Sequence, residues 1–210
     1  GLKTPEAGEI EVLGRRWRDD PVAIRERIGV QLQETEFQDK LSVLEILRLF
    51  RSFYRDGADL DEVLDMIGLR EKRDALVKTL SGGQKQRLSI GCAMLNHPEV
   101  LFLDEPTTGL DPQARRRVWE VIERFKAGGG TILLTTHYME EAERLADDLI
   151  IVDGGQVIAR GSPAAIIAEL ESESVVQFAI PGGADADLPD DAFRAIDGVQ
   201  ALRREGGNVV

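Results

Sequence analysis

Two blocks of residues carry the chemistry of this chain. Leu80-Ser81-Gly82-Gly83-Gln84 is a glycine-rich turn opening a helical pattern, and Val100-Leu101-Phe102-Leu103-Asp104-Glu105 is an apolar run ending in adjacent carboxylates. Two glycines after a serine let the backbone come close to a ligand. The helix that follows offers free N–H groups and the positive end of its dipole, worth roughly 0.3 to 2 kcal/mol to an anion. That is too little to hold a triphosphate, so a second binding surface is required. The apolar run reads as a central strand covered on both faces. Ligands of open α/β sheets sit at the carboxyl ends of such strands. Asp104 fits a role near Mg²⁺, which takes oxygen ligands and keeps several waters, so that one nearby carboxylate is enough. Glu105 is placed to polarise an attacking water, a role worth about 10²–10⁴-fold. Each block alone also has a bland reading, as a helix cap without a ligand or a strand-end pair capping the next helix.

The elements that must position these residues are legible in the periodicity. Glu9–Leu13 alternates and reads as a strand closed by Gly14, and Arg27–Gln33 as a second strand. Leu41, Leu44, Leu47 and Phe50 then fall at helical spacing, with Ser42 and Glu45 as a capping box. Further helices are expected at Leu60–Ile67, stopped by Gly68, and from Ser81 to Asn96. Beyond them strands and helices alternate: strand Val100–Leu103, helix Pro112–Lys126, strand Thr131–Thr135, helix Met139–Leu145, strand Leu149–Val152. This alternation predicts crossover units and a mainly parallel sheet. A turn at Asp153-Gly154-Gly155 predicts a hairpin to Gln156–Ala159, and Ser162-Pro163 starts a short helix to Leu170. In the tail, Val175–Ile180 and Val199–Arg203 read as strands, Ala192–Ile196 as a short helix and Pro181–Asp191 as a loop.

Composition narrows the function classes. The 210 residues carry a net charge of −12 and no long basic run, which disfavours broad nucleic-acid binding. Local anion sites at helix N-termini remain open. No stretch reaches the roughly 18 to 20 apolar residues that span a bilayer. The single cysteine, Cys92, excludes an internal disulfide and reads as a small buried hydrophobe. His97 reads as a solvated turn residue, Arg115-Arg116-Arg117 as a solvated helix face, and Tyr138 and Met139 as packing residues.

In this order and at this spacing the blocks resemble the ATP-binding cassette family. Leu80–Gln84 matches the family signature LSGGQ residue for residue. Leu101–Glu105 with Pro106-Thr107 matches its Walker B strand and catalytic glutamate, and Gly109-Leu110-Asp111 its D-loop. Thr136-His137 matches the switch histidine and Gln33 the Q-loop glutamine. The resemblance implies an α/β, P-loop NTPase-type, mainly parallel sheet with an inserted helical lobe over about residues 38–97. It places the nucleotide-binding domain at residues 1–160, incomplete at its N-terminus, and a helix with a partial accessory domain at 161–210.

The same resemblance implies a division of labour. Glu105 would activate water and His137 would contact the γ-phosphate. Asp104 would hold Mg²⁺ through water, with Gln33 touching both metal and water. Ser81, Gly82, Gly83 and Gln84 would bind ATP held by a second nucleotide-binding subunit, and Asp111 would join the same nucleotide site. An integral membrane permease would dock near the helical lobe, placing the chain on the cytoplasmic face of a membrane. The wording of Thr107–Pro112 and His137–Glu143 is similar to drug and antibiotic exporter ATPases. A ribosome-directed cytosolic cassette and a non-catalytic dimerisation or regulatory cassette are the alternatives.

The phosphate loop G-x-x-x-x-G-K-S/T does not occur in the 210 residues. Gly1-Leu2-Lys3-Thr4 holds a Lys-Thr pair, but without that spacing and without a preceding strand. By resemblance Gly1–Glu9 follows the phosphate-loop helix, so the loop is expected upstream. The segment alone is therefore expected not to hydrolyse ATP.

Overall fold

In the computed structural model, residues 6–33 and 35–169 are described, together with the backbone of three short strands beyond them. The chain divides into two compact units, Gly1–Leu145 and Ala146–Val210.

The first unit begins with β1 (Glu11–Val12) and β2 (Arg15–Arg16), an antiparallel pair. Leu13 and Gly14 both take positive φ, 54° and 73°, so the chain reverses in a two-residue hairpin turn. This turn shortens the strand expected over Glu9–Leu13. Helix α1 (Pro21–Arg25) is not visible in the periodicity, because five residues are too few to show a helical period. It rests on local chemistry: the Asp20 carboxylate accepts from the Ala23 N–H, and Pro21 opens the helix.

Strand β3 (Ile28–Gln31) leads to α2 (Val43–Arg51), α3 (Leu60–Met66) and α4 (Gly82–Ala93). The predicted capping box of α2 forms, with the Glu45 N–H donating to Ser42 Oγ and the Ser42 N–H to Glu45 Oε2. Leu44 and Leu47 are buried, with Leu41 and Phe50 packed at the margin. Gly68 ends α3 at φ 63°, and the buried Arg87 guanidinium of α4 donates to Ile67 O and Gly68 O at 2.6 and 2.8 Å. Burial pushes the Cys92 thiol well above its ordinary range, leaving it inert. His97 is exposed in the turn after α4, at φ 51°.

Strand β4 (Val100–Asp104), helix α5 (Pro112–Ala127), strand β5 (Thr131–Thr135) and helix α6 (Met139–Leu145) complete the unit. The sheet order is β3-β4-β5, all parallel, with Leu103 opposite Gln31 and Leu134. Successive residues point to opposite faces. Leu101 and Leu103 are fully buried in one core with Leu88, Ile90, Val118, Trp119 and Ile122. Val30, Phe102 and Leu133 lie in register on the other face, where Val30 and Leu133 are 50% and 58% exposed. The expectation that β4 is covered on both faces is thus met on one face only among the described residues.

In the second unit β6 (Leu149–Asp153) and β7 (Gln156–Gly161) form the expected hairpin, turning through Gly154 and Gly155 at φ 54° and 78°. Helix α7 (Pro163–Glu169) starts where Ser162 Oγ accepts from the Ala165 N–H. Strands β8 (Phe178–Ala179), β9 (Arg204–Glu205) and β10 (Asn208–Val209) form an antiparallel sheet of order β8-β10-β9. The loop, helix and strand expected at 181–191, 192–196 and 199–203 lie outside the described residues. No helix among the described residues is long and apolar enough to cross a membrane.

Candidate active site

The parallel register decides the site. Asp104 stands opposite Thr135, so the carboxyl ends of β4 and β5 deliver their side chains to one edge of the sheet. Thr135 Oγ donates to Asp104 Oδ1 at 2.5 Å, and the Glu105 N–H donates to both Thr135 O and Thr135 Oγ, at 3.1 and 3.2 Å. Glu105 itself sits at φ 45°. For a residue with a Cβ this left-handed conformation costs on the order of 1–2 kcal/mol. The two hydrogen bonds from its amide hold this turn in place.

That turn brings Glu105 to His137. His137 Nδ1 lies 3.1 Å from Glu105 Oε2, and Thr108 Oγ donates to the same oxygen at 2.8 Å. A carboxylate accepts, so the tautomer that suits this contact carries its proton on Nδ1 and leaves Nε2 as the ring's second polar atom. No described residue donates to Glu105 Oε1, which is the oxygen left to take a proton from water. The Glu105 side chain is 28% exposed and that of His137 54%, so the pair is open to a ligand. The sequence singled out Glu105, His137 and Asp104. It missed Thr135 and Thr108, whose hydroxyls tie these groups together. Their signal was a threonine at each strand end or the turn beyond it.

Gln33 is exposed two residues past the end of β3, on the same sheet edge as Asp104 because β3 and β4 run parallel. Asp104 is an exposed carboxylate. It suits a water-mediated Mg²⁺ role, which needs only one or two carboxylates. No group of three metal-ligating side chains exists among the described residues.

The signature turn is built separately. Ser81 caps α4: its Oγ accepts from the Gln84 N–H at 3.3 Å while Gln84 Oε1 accepts from the Ser81 N–H at 2.9 Å. The intrahelical ladder begins with the Lys85 N–H donating to Ser81 O, so the N–H groups of Gly82 and Gly83 precede it. With the Ser81 hydroxyl proton and the Gln84 NH₂ they make a set of donors. The two glycines differ in environment. Gly82 is exposed, whereas Gly83 is buried where a Cβ would come within 2.7 Å of Ala114 Cβ. Asp111 caps α5 beside this turn, its Oδ1 accepting from the N–H groups of Gln113 and Ala114, both at 2.9 Å. Arg116 and Arg117 are exposed as expected, but Arg115 is not a free face residue: its guanidinium lies 4.2 Å above the Tyr138 ring.

The chain was compared with known proteins. The family model described as ABC transporter matches residues 1–108, more than half of the chain. Nod factor export ATP-binding protein I of Cupriavidus pinatubonensis (strain JMP 134 / LMG 1197) is 42% identical over 168 residues, covering 78% of this chain and 52% of that protein. Its counterpart in Rhizobium meliloti (strain 1021) is 43% identical over 183 residues, covering 85% and 55%. The chain thus spans about half the length of the curated relatives it matches. A solved structure described as an ATP binding subunit of an ABC transporter superposes with a TM-score of 0.68 at 31% identity, covering 80% of this chain and 72% of that one. With a parallel sheet that presents Asp104, Glu105 and His137 on one edge, and LSGGQ at the start of α4, the chain belongs to the ABC transporter family.

Proposed function

We propose that the full-length gene product is an ATP-hydrolysing subunit that powers export through a partner membrane permease. The observation that carries the chemistry is the Glu105–His137 contact of 3.1 Å at the carboxyl end of a parallel sheet. In this reading Glu105 Oε1 takes the proton of the attacking water, and His137, oriented through Nδ1, offers Nε2 to the γ-phosphate. Asp104, assisted by Gln33, would hold Mg²⁺. The metal supplies charge neutralisation at the phosphates. The donors of Ser81, Gly82, Gly83 and Gln84 bind the γ-phosphate of ATP seated on a second nucleotide-binding subunit. Asp111, the cap beside them, belongs to that same surface. Residues 1–160 form the nucleotide-binding domain in this reading and 161–210 an accessory region. The direction of transport follows the export named in the relatives' descriptions. A subunit docked on a permease lies at the cytoplasmic face of the membrane.

The test is ATP turnover by the full-length gene product purified with its co-purifying membrane protein. Glu105→Gln keeps the shape and removes the base, and is expected to lower turnover by at least about a hundredfold. Normal turnover in that variant would overturn the reading.

A further inference from the structure

Helix α6 carries no catalytic group of its own but starts two residues after His137, and at seven residues it is too short to hold itself. Its neighbour α5 supplies the anchor. Arg115 stacks on Tyr138, the guanidinium of Arg144 lies 4.9 Å from the Trp119 ring and pairs with Glu123 at 2.8 Å, and Lys126 Nζ donates to Leu145 O. One contact does more than clamp the two helices. Glu141 is fully buried, and its Oε1 accepts from the Trp119 indole N–H at 2.7 Å and from Thr107 Oγ at 2.8 Å.

Thr107 lies two residues after Glu105 and is itself fully buried. Glu141 lies four residues after His137. The chain and these bonds therefore close a ring: Glu105 to Thr107 along the turn, Thr107 to Glu141 by hydrogen bond, Glu141 to His137 along α6, and His137 back to Glu105. The ring fixes the separation of the two segments that meet in the Glu105–His137 contact. Its cost is visible in the other carboxylate oxygen, since Glu141 Oε2 is buried with no hydrogen-bond partner. An unpaired buried acceptor opposes folding, and an apolar side chain of equal volume would serve stability better.

We propose that Glu141 is a positioning residue for the Glu105–His137 pair, acting through Thr107 and Trp119 and touching no substrate itself. The proposal rests on the hydrolytic reading for its kinetic consequence, but not for its geometric one. Three variants separate the possibilities. Glu141→Leu fills the volume and removes both bonds. Thr107→Val removes only the link to the Glu105 turn and leaves Trp119 to hold α6, so it tests the idea even where Glu141→Leu does not fold. Glu141→Gln keeps the Oε1 acceptor.

Two readouts are taken. In the 210-residue chain, with only two histidines, the imidazole NMR resonances of His137 report the contact, and exposed His97 is the internal reference. In the full-length gene product, kcat and KM for ATP are measured. Thr107→Val and Glu141→Leu are expected to move the His137 resonances but not those of His97. They are expected to lower kcat about tenfold or more while KM stays within about twofold, since small misplacements cost rate rather than affinity. Glu141→Gln is expected to restore both. His137 resonances that superpose on wild type in Thr107→Val, or a Glu141→Gln variant as impaired as Glu141→Leu, would overturn the proposal. If the wild-type gene product shows no turnover, the hydrolytic reading fails, and the resonances alone decide whether Glu141 positions His137.

Discussion

Glu105 takes two side-chain contacts on one oxygen while its backbone is held in a left-handed turn, and Thr135 is what makes both possible. The Thr135 hydroxyl receives the Glu105 N–H and donates to Asp104, so one side chain sets the mutual orientation of both carboxylates. Thr135→Val keeps the shape and removes the hydroxyl. It is expected to lower kcat of the full-length gene product by roughly ten- to a hundredfold with KM for ATP little changed, as read from steady-state turnover. The sequence marked Glu105 because it follows Asp104 at the end of an apolar run and matches the family's catalytic glutamate. It could not mark Thr135, because a threonine in a strand is ordinary until the register puts it opposite Asp104.

At the scale of elements, the signature glycines divide their work. The sequence reads both Gly82 and Gly83 as room for a ligand. Gly83 is also the point where α4 meets α5, with Ala114 Cβ 2.7 Å from where a Cβ would stand. Gly83→Ala is expected to cost about 1–3 kcal/mol through overpacking. Urea unfolding measures it, and a paired Ala114→Gly change is expected to recover most of the loss. A caps-level prediction concerns acid. Hydrogen bonds from the Ser42 N–H and hydroxyl hold the Glu45 carboxyl below its usual range, and the hydrogen bond from Arg27 does the same for Glu99. A depressed carboxyl contributes stability that is present above its unfolded pKa and is lost as pH falls through its folded one. Unfolding midpoints are therefore expected to fall on acidification through and below the ordinary carboxylate range, with a smaller fall in Glu45→Gln and Glu99→Gln. The capping box was legible because its two residues are three apart. The Arg27–Glu99 pair was not, because it joins the approaches of β3 and β4, 72 positions apart in the chain.

For the whole molecule, the sheet face bearing Val30, Phe102 and Leu133 is the feature with the largest physical consequence. Contiguous exposed apolar surface binds hydrophobic dyes and promotes association. The 210-residue chain is expected to enhance the fluorescence of an anilinonaphthalene dye in its native state. Val30→Thr with Leu133→Thr is expected to cut that enhancement by more than half at unchanged secondary structure, measured by circular dichroism. The arrangement of the proposed sites belongs to this scale too. Ser81 and Gln84 bond each other beside Leu110 and Ala114, while Glu105 bonds the Thr135–His137 segment. The bonds that order the signature turn and those that order the Glu105–His137 pair share no residue.

The sequence by itself determined the longer elements and their order from Ile28 onward, and it singled out the candidate reactive groups. Hydrophobic period, capping residues and the LSGGQ and strand-end carboxylate blocks are local, and local physics is written in neighbouring residues. The tertiary structure decided what depends on contacts between distant segments. The parallel register sets Asp104 against Thr135, the turn of Glu105 brings it to His137, and buried Glu141 joins Thr107 to Trp119. It also decided that Gly83 is a packing glycine and that, among the described residues, Val30 and Leu133 flanking Phe102 stay exposed on one sheet face. Each of these follows from residues twenty or more positions apart, and no spacing along the chain records them.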